Sequence, residues 1–224
     1  SLPVGRFCRD ALSRIGHVVE TFEGPDFHPT YEALRNLKVG EQRAEHLQNS
    51  YLQQVVSQAV LAKGKYGQGF PEYGPERRGA PMRGFTRIAD EPIRRHCGIE
   101  NPGIVIVLDP SLLDSPAAGV TAGTDENTVF LINTSLSPAE IKKKLGVPGA
   151  KVYTVDATKI AIDSFGKPIP NMPMTGALLV AAPIMELDEL TVAMRDKFSQ
   201  KFSEAVVDGN LRAVEQAYSE VVSE

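Results

Sequence analysis

Two cysteines, Cys8 and Cys97, are the whole thiol complement of a 224-residue chain. Neither lies in a C-x-x-C pair, and two thiols cannot supply the four ligands of an iron–sulfur cluster or a structural zinc. This excludes a cluster held by the chain alone and suits a reduced, cytoplasmic protein. Four histidines (His17, His28, His46, His96) are scattered without H-E-x-x-H or comparable spacing, so no metal site is read from them. Serine, histidine and aspartate occur at no spacing that suggests a nucleophile–base–acid set, so the chain is not expected to catalyse anything alone. Positive charge is not in excess. The formal net charge is −4, which argues against non-specific binding to nucleic acid or to an anionic membrane. Long apolar runs are missing too: the longest, Ala177 to Met185, is interrupted by Pro183 and falls well short of the ~18 residues that span a bilayer. The opening "SLPVGRFCRD" holds no apolar core of signal-peptide length. Internal repeats and low-complexity tracts are absent.

What the chain does contain is an ordinary globular composition, 42% hydrophobic and 23% charged, and a length that suits one large α/β domain or one domain plus an appendage. Residues 1–45 read as a helical extension. Phe7, Ala11, Ile15, Val18, Val19 and Phe22 fall at helical spacing, and Gly24-Pro25 ends the pattern. A long helix is expected next, with Leu47, Tyr51, Leu52, Val55, Val56, Ala59 and Val60 on its apolar side and Gly64 as its stop.

Residues 46–224 then turn to alternating strands and helices. "MRGFTRIA" alternates as a strand does. "GIVIVLD" (Gly103 to Asp109) is a continuous β-branched run that suits a central strand covered on both faces, and "TVFLINT" (Thr128 to Thr134) is another. In "SPAEIKKKLG", Ser137 is the N-cap, Pro138 the first helical residue and Glu140 the partner in a capping box, with Gly146 closing the helix. Lys142, Lys143 and Lys144 form its solvated face. "KVYTVDA" is the next strand, and Asp156 can cap the helix "ATKIAIDSFG". Three helices follow, in "TGALLVAAPIM", "DELTVAMRDKFSQKF" and "NLRAVEQAYSEVVS". The fold class expected is α/β: a Rossmann-like open sheet with flanking helices and a helical N-terminal extension.

One segment resists this scheme. "YGQGFPEYGPERRGAP" (Tyr66 to Pro81) is expected to be a stiff, glycine-paved loop that presents Arg77 and Arg78. Two guanidinium forks can bind carboxylates or phosphates in a bidentate way that lysine cannot reproduce. Glu76 can hold one arginine in place, and Gly79 leaves room beside Arg78 for a bound group. The loop is therefore read as a ligand contact or a subunit interface. "IPNMPMTGA" is the second candidate, with Asn171 able to cap or to hydrogen-bond across a loop, Met172 and Met174 as adaptable apolar contacts and Gly176 permitting close helix approach. Asp109, at a strand's carboxyl end, lies where open α/β sheets bind ligands.

The stretch "GKYGQGFPEYGPERRGAPMRGFTRIADEPI" resembles the gamma subunit of pyruvate:ferredoxin and related 2-oxoacid:ferredoxin oxidoreductases, a module also built into their single-chain forms. The likeness continues through "NPGIVIVLDPSLL", "TVFLINTS", "VYTVDATKIA" and "IPNMPMTGALL", and so covers roughly Tyr51 to Phe202. The resemblance implies a complex with alpha, beta and delta-type subunits that decarboxylates a 2-oxoacid, forms an acyl-CoA from coenzyme A and passes electrons to ferredoxin. It places thiamine diphosphate, magnesium and iron–sulfur clusters on the partner chains, since this sequence has neither a G-D-G…N pattern nor cluster cysteines. It puts Glu76, Arg77, Arg78, Gly79, Asn171 and Met174 at a substrate or CoA pocket or at an interface. Gamma-like chains usually open with a strand and a glycine-rich turn of the G-R-G-G-Q-G kind. Here the corresponding stretch is "NLKVGEQRAEHLQNS", with a single Gly40. An independent Rossmann-like protein that binds a nucleotide or cofactor is the alternative reading. The missing turn counts against it, because such turns let backbone N–H groups approach a phosphate.

Overall fold

The computed structural model describes residues 64–72, 83–95, 97–200 and 202–224, all within the compact unit Glu45–Glu224. The helices expected before Gly64, including Phe7 to Phe22, lie outside the described residues, as does the tip of the arginine loop. In chain order the elements are β1 (Tyr66–Glu72), β2 (Arg83–Ala89), β3 (Ile104–Val107), β4 (Val129–Asn133), α1 (Pro138–Leu145), β5 (Lys151–Val155), α2 (Ala157–Phe165), α3 (Asn171–Ala181), α4 (Leu187–Ser199), α5 (Glu204–Glu220) and β6 (Val222–Ser223). Two short 3-10 turns, Pro110–Asp114 and Pro116–Ala118, lead out of β3.

β3, β4 and β5 run parallel, and β6 closes the row antiparallel to β5. β3, β4 and β5 alternate their side chains between two apolar cores, as a sheet covered on both faces must. Phe130, Ile132 and Val152 face Ile141 of α1, while Leu131, Tyr153 and Val155 face the large core built from α2 to α5. The α/β open sheet with flanking helices is the class expected from the sequence. β3 departs in one respect: among the described residues it stands at the sheet's edge and not at its centre, and only Val107 of its four residues is fully buried.

The helix boundaries follow local chemistry. Ser137 accepts the Glu140 N–H while the Glu140 carboxylate accepts the Ser137 N–H, so the expected capping box is formed, and Gly146 ends α1 in the left-handed conformation (φ 67°). Asp156 accepts the Lys159 N–H at 3.0 Å and starts α2. α3 begins earlier than expected. Its first turn contains Pro173, which is tolerated there because the missing N–H would have had no partner within the helix. Nine of its eleven residues are buried, which makes it the central helix of the large core. It runs against α5, where a Cβ on Gly176 would lie 2.9 Å from the Val214 carbonyl carbon. "VVS" near the end, expected to continue the last helix, supplies β6 instead.

Candidate functional site: a clamped hairpin beside the sheet

Half of the expected loop is a strand. Tyr66–Glu72 pairs antiparallel with Arg83–Ala89, with Phe70 opposite Phe85 and Gln68 opposite Arg87. Tyr66, Gln68 and Phe70 share one face with their partners, whereas Gly67 and Gly69 lie on the other. Low strand propensity at the glycines is overridden by cross-strand pairing: the Phe70 and Phe85 rings sit 5.4 Å apart, and the Lys65–Asp90 ion pair (2.8 Å) closes the open end. Glu76, Arg77, Arg78 and Gly79 belong to the connection between these strands and lie outside the described residues.

Arg87 holds the hairpin from its middle. Its Nη2 donates to the carbonyl oxygens of Cys97 (2.6 Å) and Gly98 (2.9 Å), and Nη1 donates to Gln68 Oε1 (3.1 Å). The same guanidinium lies 5.7 Å from the Phe70 ring centroid. Gly98 passes under Phe85, where an added Cβ would be in ordinary contact at 3.5 Å. At the start of β2 the Arg83 side chain reaches Gly119, which is in the left-handed region at φ 57°. Gly119 lines a shallow groove of about 190 Å³ with Leu112, Leu113, Val120 and Leu145, edged by the Lys144–Asp114 ion pair.

The carboxyl ends of the parallel strands are occupied by the chain's own caps. Asp109 accepts the Ser111 N–H at 2.9 Å, which spends its carboxylate on the following 3-10 turn. Asn133 is buried, donates to Leu108 O (2.7 Å) and Thr158 Oγ1 (2.8 Å), and accepts the Thr158 N–H (3.2 Å). It thus ties β3, β4 and α2 together through one amide. The Glu140 carboxylate at the start of α1 accepts from the Ser137 hydroxyl at 2.7 Å and from the Ser137 N–H at 2.9 Å. Hydrogen bonds from the Ser137 side chain and then the Ser137 backbone hold its carboxyl below the usual range. No group of His, Cys, Asp and Glu among the described residues could hold a metal ion, and no helix among them is long and apolar enough to cross a membrane.

Asn171 and Met174 lie in the first turn of α3 and not in a loop. Met174 is 0% exposed and Asn171 5%, with Asn171 Oδ1 accepting the Met172 N–H at 2.9 Å. Pro170, not Asn171, occupies the cap position. Arg87 and Asn133 were not singled out from the sequence. A polar amide ending the apolar run "VFLIN" was the available sign of Asn133. Arg87 gave none, because a charged residue in an alternating strand reads as a solvated position.

Comparison with known proteins places this architecture. A model of the family described as pyruvate ferredoxin/flavodoxin oxidoreductase matches residues 50–220, close to the stretch over which the resemblance was read. A Thermotoga maritima protein named pyruvate synthase subunit PorC is 44% identical over 168 residues, covering 75% of this chain and 85% of the relative. A Pyrococcus furiosus protein named pyruvate/ketoisovalerate oxidoreductases common subunit gamma is 41% identical over 164 residues, covering 73% of this chain and 85% of the relative. The crystal structure of the pyruvate oxidoreductase subunit PORC of Thermotoga maritima superposes with a TM-score of 0.67 at 39% identity, covering 78% of this chain and 90% of that one. Fold and sequence agree along the same stretch, and the chain belongs to the pyruvate ferredoxin/flavodoxin oxidoreductase family.

Proposed function

We propose that this chain is the gamma-type subunit of a thiamine diphosphate-dependent 2-oxoacid:ferredoxin oxidoreductase. Residues 46–224 form its α/β domain and residues 1–45 an extension to it. The complex converts a 2-oxoacid, CoA and two oxidised ferredoxins to an acyl-CoA, CO₂, a proton and two reduced ferredoxins. The observation that carries this reading is the 44% identity to a pyruvate synthase subunit over 85% of that protein's length. Thiamine diphosphate, magnesium and iron–sulfur clusters belong to the alpha, beta and delta-type partners, and the diphosphate cofactor supplies the carbanion chemistry there. In support, two polar residues at the strand ends among the described residues, Asp109 and Asn133, are engaged in the chain's own caps and cross-links.

Its own contribution lies in assembly and in the hairpin. Arg78, beside Gly79, binds the carboxylate or phosphate of the 2-oxoacid or CoA, while Glu76 and Arg77 hold the loop against a partner subunit. Asn171 and Met174 contribute by seating the first turn of α3 in the core. Arg78→Lys keeps the charge and loses the fork, at a cost of about 1.5–3 kcal/mol. The assembled complex should then show a roughly tenfold to hundredfold higher KM for CoA or the 2-oxoacid. Normal constants in an assembled Arg78→Lys complex would remove Arg78 from the ligand role, and failure to assemble would make it an interface residue. Co-purification from the source organism tests the subunit reading itself: isolation of this chain without partner chains contradicts it.

A further inference from the structure

We propose that Arg87 is a positioning residue: it locks the β1–β2 hairpin to the backbone of Cys97 and Gly98 and so sets the position of the two strand ends, Glu72 and Arg83, from which the connection carrying Arg78 departs. The inference rests on the reading of that loop given above.

A two-stranded hairpin is marginal by itself in water, and this one carries Gly67, Gly69 and Gly84 in its strands. Its placement therefore depends on what it is tied to. Arg87 gathers four ties in one planar group: two neighbouring carbonyl oxygens, the cross-strand Gln68 amide and the Phe70 ring. Lysine, with one ammonium on a flexible stem, cannot satisfy two carbonyls and the amide while also lying over the ring. The acceptors are neutral, so geometry and not charge balance is what the guanidinium supplies.

The segment it grips is itself fixed to the sheet. Thr128 Oγ1 donates to Pro102 O at 3.2 Å, and the Val129 N–H donates to Gly103 O at 2.9 Å, so residues 102–103 are bonded to the start of β4. Gly123, at φ 70°, lets the Glu100 carbonyl approach where any side chain would collide with it. A continuous path of bonded groups thus runs from β4 through residues 98–103 to Arg87 and the hairpin. Arg87 stands four residues from Arg83, where β2 meets the loop.

The test uses the reconstituted complex with Arg87→Lys, Arg87→Ala and Arg78→Lys, with pyruvate and CoA as probes. Amide hydrogen exchange and steady-state kinetics are both read. With Arg87→Lys, the amides of Gly67 to Phe70 and Phe85 to Ile88 should exchange about tenfold faster or more, with β4 and β5 amides unchanged. KM for one substrate should rise about tenfold with kcat within about twofold, a split that general destabilisation does not produce. Loss of assembly by Arg87→Ala with an unchanged melting temperature of the isolated chain also supports positioning. Unaltered hairpin exchange in both Arg87 variants overturns the proposal. So does faster exchange with normal kinetics where Arg78→Lys raises KM, which leaves the loop reading standing. Normal KM in both lysine variants removes the loop reading, and the positioning role with it.

Discussion

Replacing Gly176 by alanine adds a single methyl group where α3 meets α5. Its Cβ would lie 2.9 Å from the carbonyl carbon of Val214 and 3.1 Å from that residue's Cα, and closer still to the carbonyl oxygen. These are backbone atoms inside α5, so no rotamer change relieves the overlap, and the two helices have to move apart. Two effects of opposite sign compete. Alanine is better than glycine in a helix interior by about 1 kcal/mol. Overpacking a filled core costs about 1–3 kcal/mol, and backbone on both sides of the collision places this case at the upper end. The separation also loosens Met174, Ala177, Ala213 and Val214, all buried at that contact. A net loss of about 2 kcal/mol follows. For a chain of this size that corresponds to a melting temperature lower by about 4–8 °C, read from thermal unfolding by circular dichroism. Gly209→Ala is the internal control. There the Cβ would meet the Phe165 Cβ and Ser164 O at 3.2 Å, and the propensity gain should hold the variant within about 1 kcal/mol of wild type. A Gly176→Ala chain that melts at or above the wild-type temperature would refute the reasoning.

The remaining predictions are smaller in scope. Asn133→Leu should destabilise the chain by about 1–3 kcal/mol in urea unfolding, because the part-buried Leu108 carbonyl and Thr158 N–H each lose a partner. The Glu140 carboxyl, held low by Ser137, contributes stability that is fully present above the usual carboxylate range and is lost as pH falls through the depressed folded value. In Ser137→Ala its NMR titration should shift upward toward the ordinary carboxylate range, and an unmoved midpoint contradicts the assigned cause. Purified alone, the chain should contain no stoichiometric iron and bind no thiamine diphosphate, by metal analysis and calorimetry respectively.

Much of the sheet was legible because its signals are local. The β-branched runs of β4 and β5 and the Ser137–Glu140 capping box declare themselves within a few residues, and the structure has them where expected. The failures share a physical origin in contacts made far along the chain. Tyr66–Glu72 looks like a loop because glycine and proline dominate it, yet pairing with Arg83–Ala89 makes it a strand. Asn171 to Met174 looks like a loop because Pro170 precedes it and Pro173 interrupts it. Burial of the whole turn in the core, with proline in a position that needs no donor, makes it helix. Val222–Ser223 follows a helical pattern without a break, and only the edge of β5 pulls it into the sheet. Asp109 was placed correctly at a strand's end, but its carboxylate serves the next turn.

The order of the elements has a consequence for how the polypeptide is made. The floor of the large core is α5, which supplies Val207, Leu211, Ala213, Val214 and Ala217, and β5 gains its outer neighbour only with β6. Both come after every other element described. A nascent chain emerging from the ribosome therefore leaves the side of α3 that meets α5 uncovered until residues 204–223 follow. Apolar surface exposed in this way makes an incomplete chain prone to aggregate. A stop codon before Glu204 would yield an aggregation-prone fragment, not a smaller working domain.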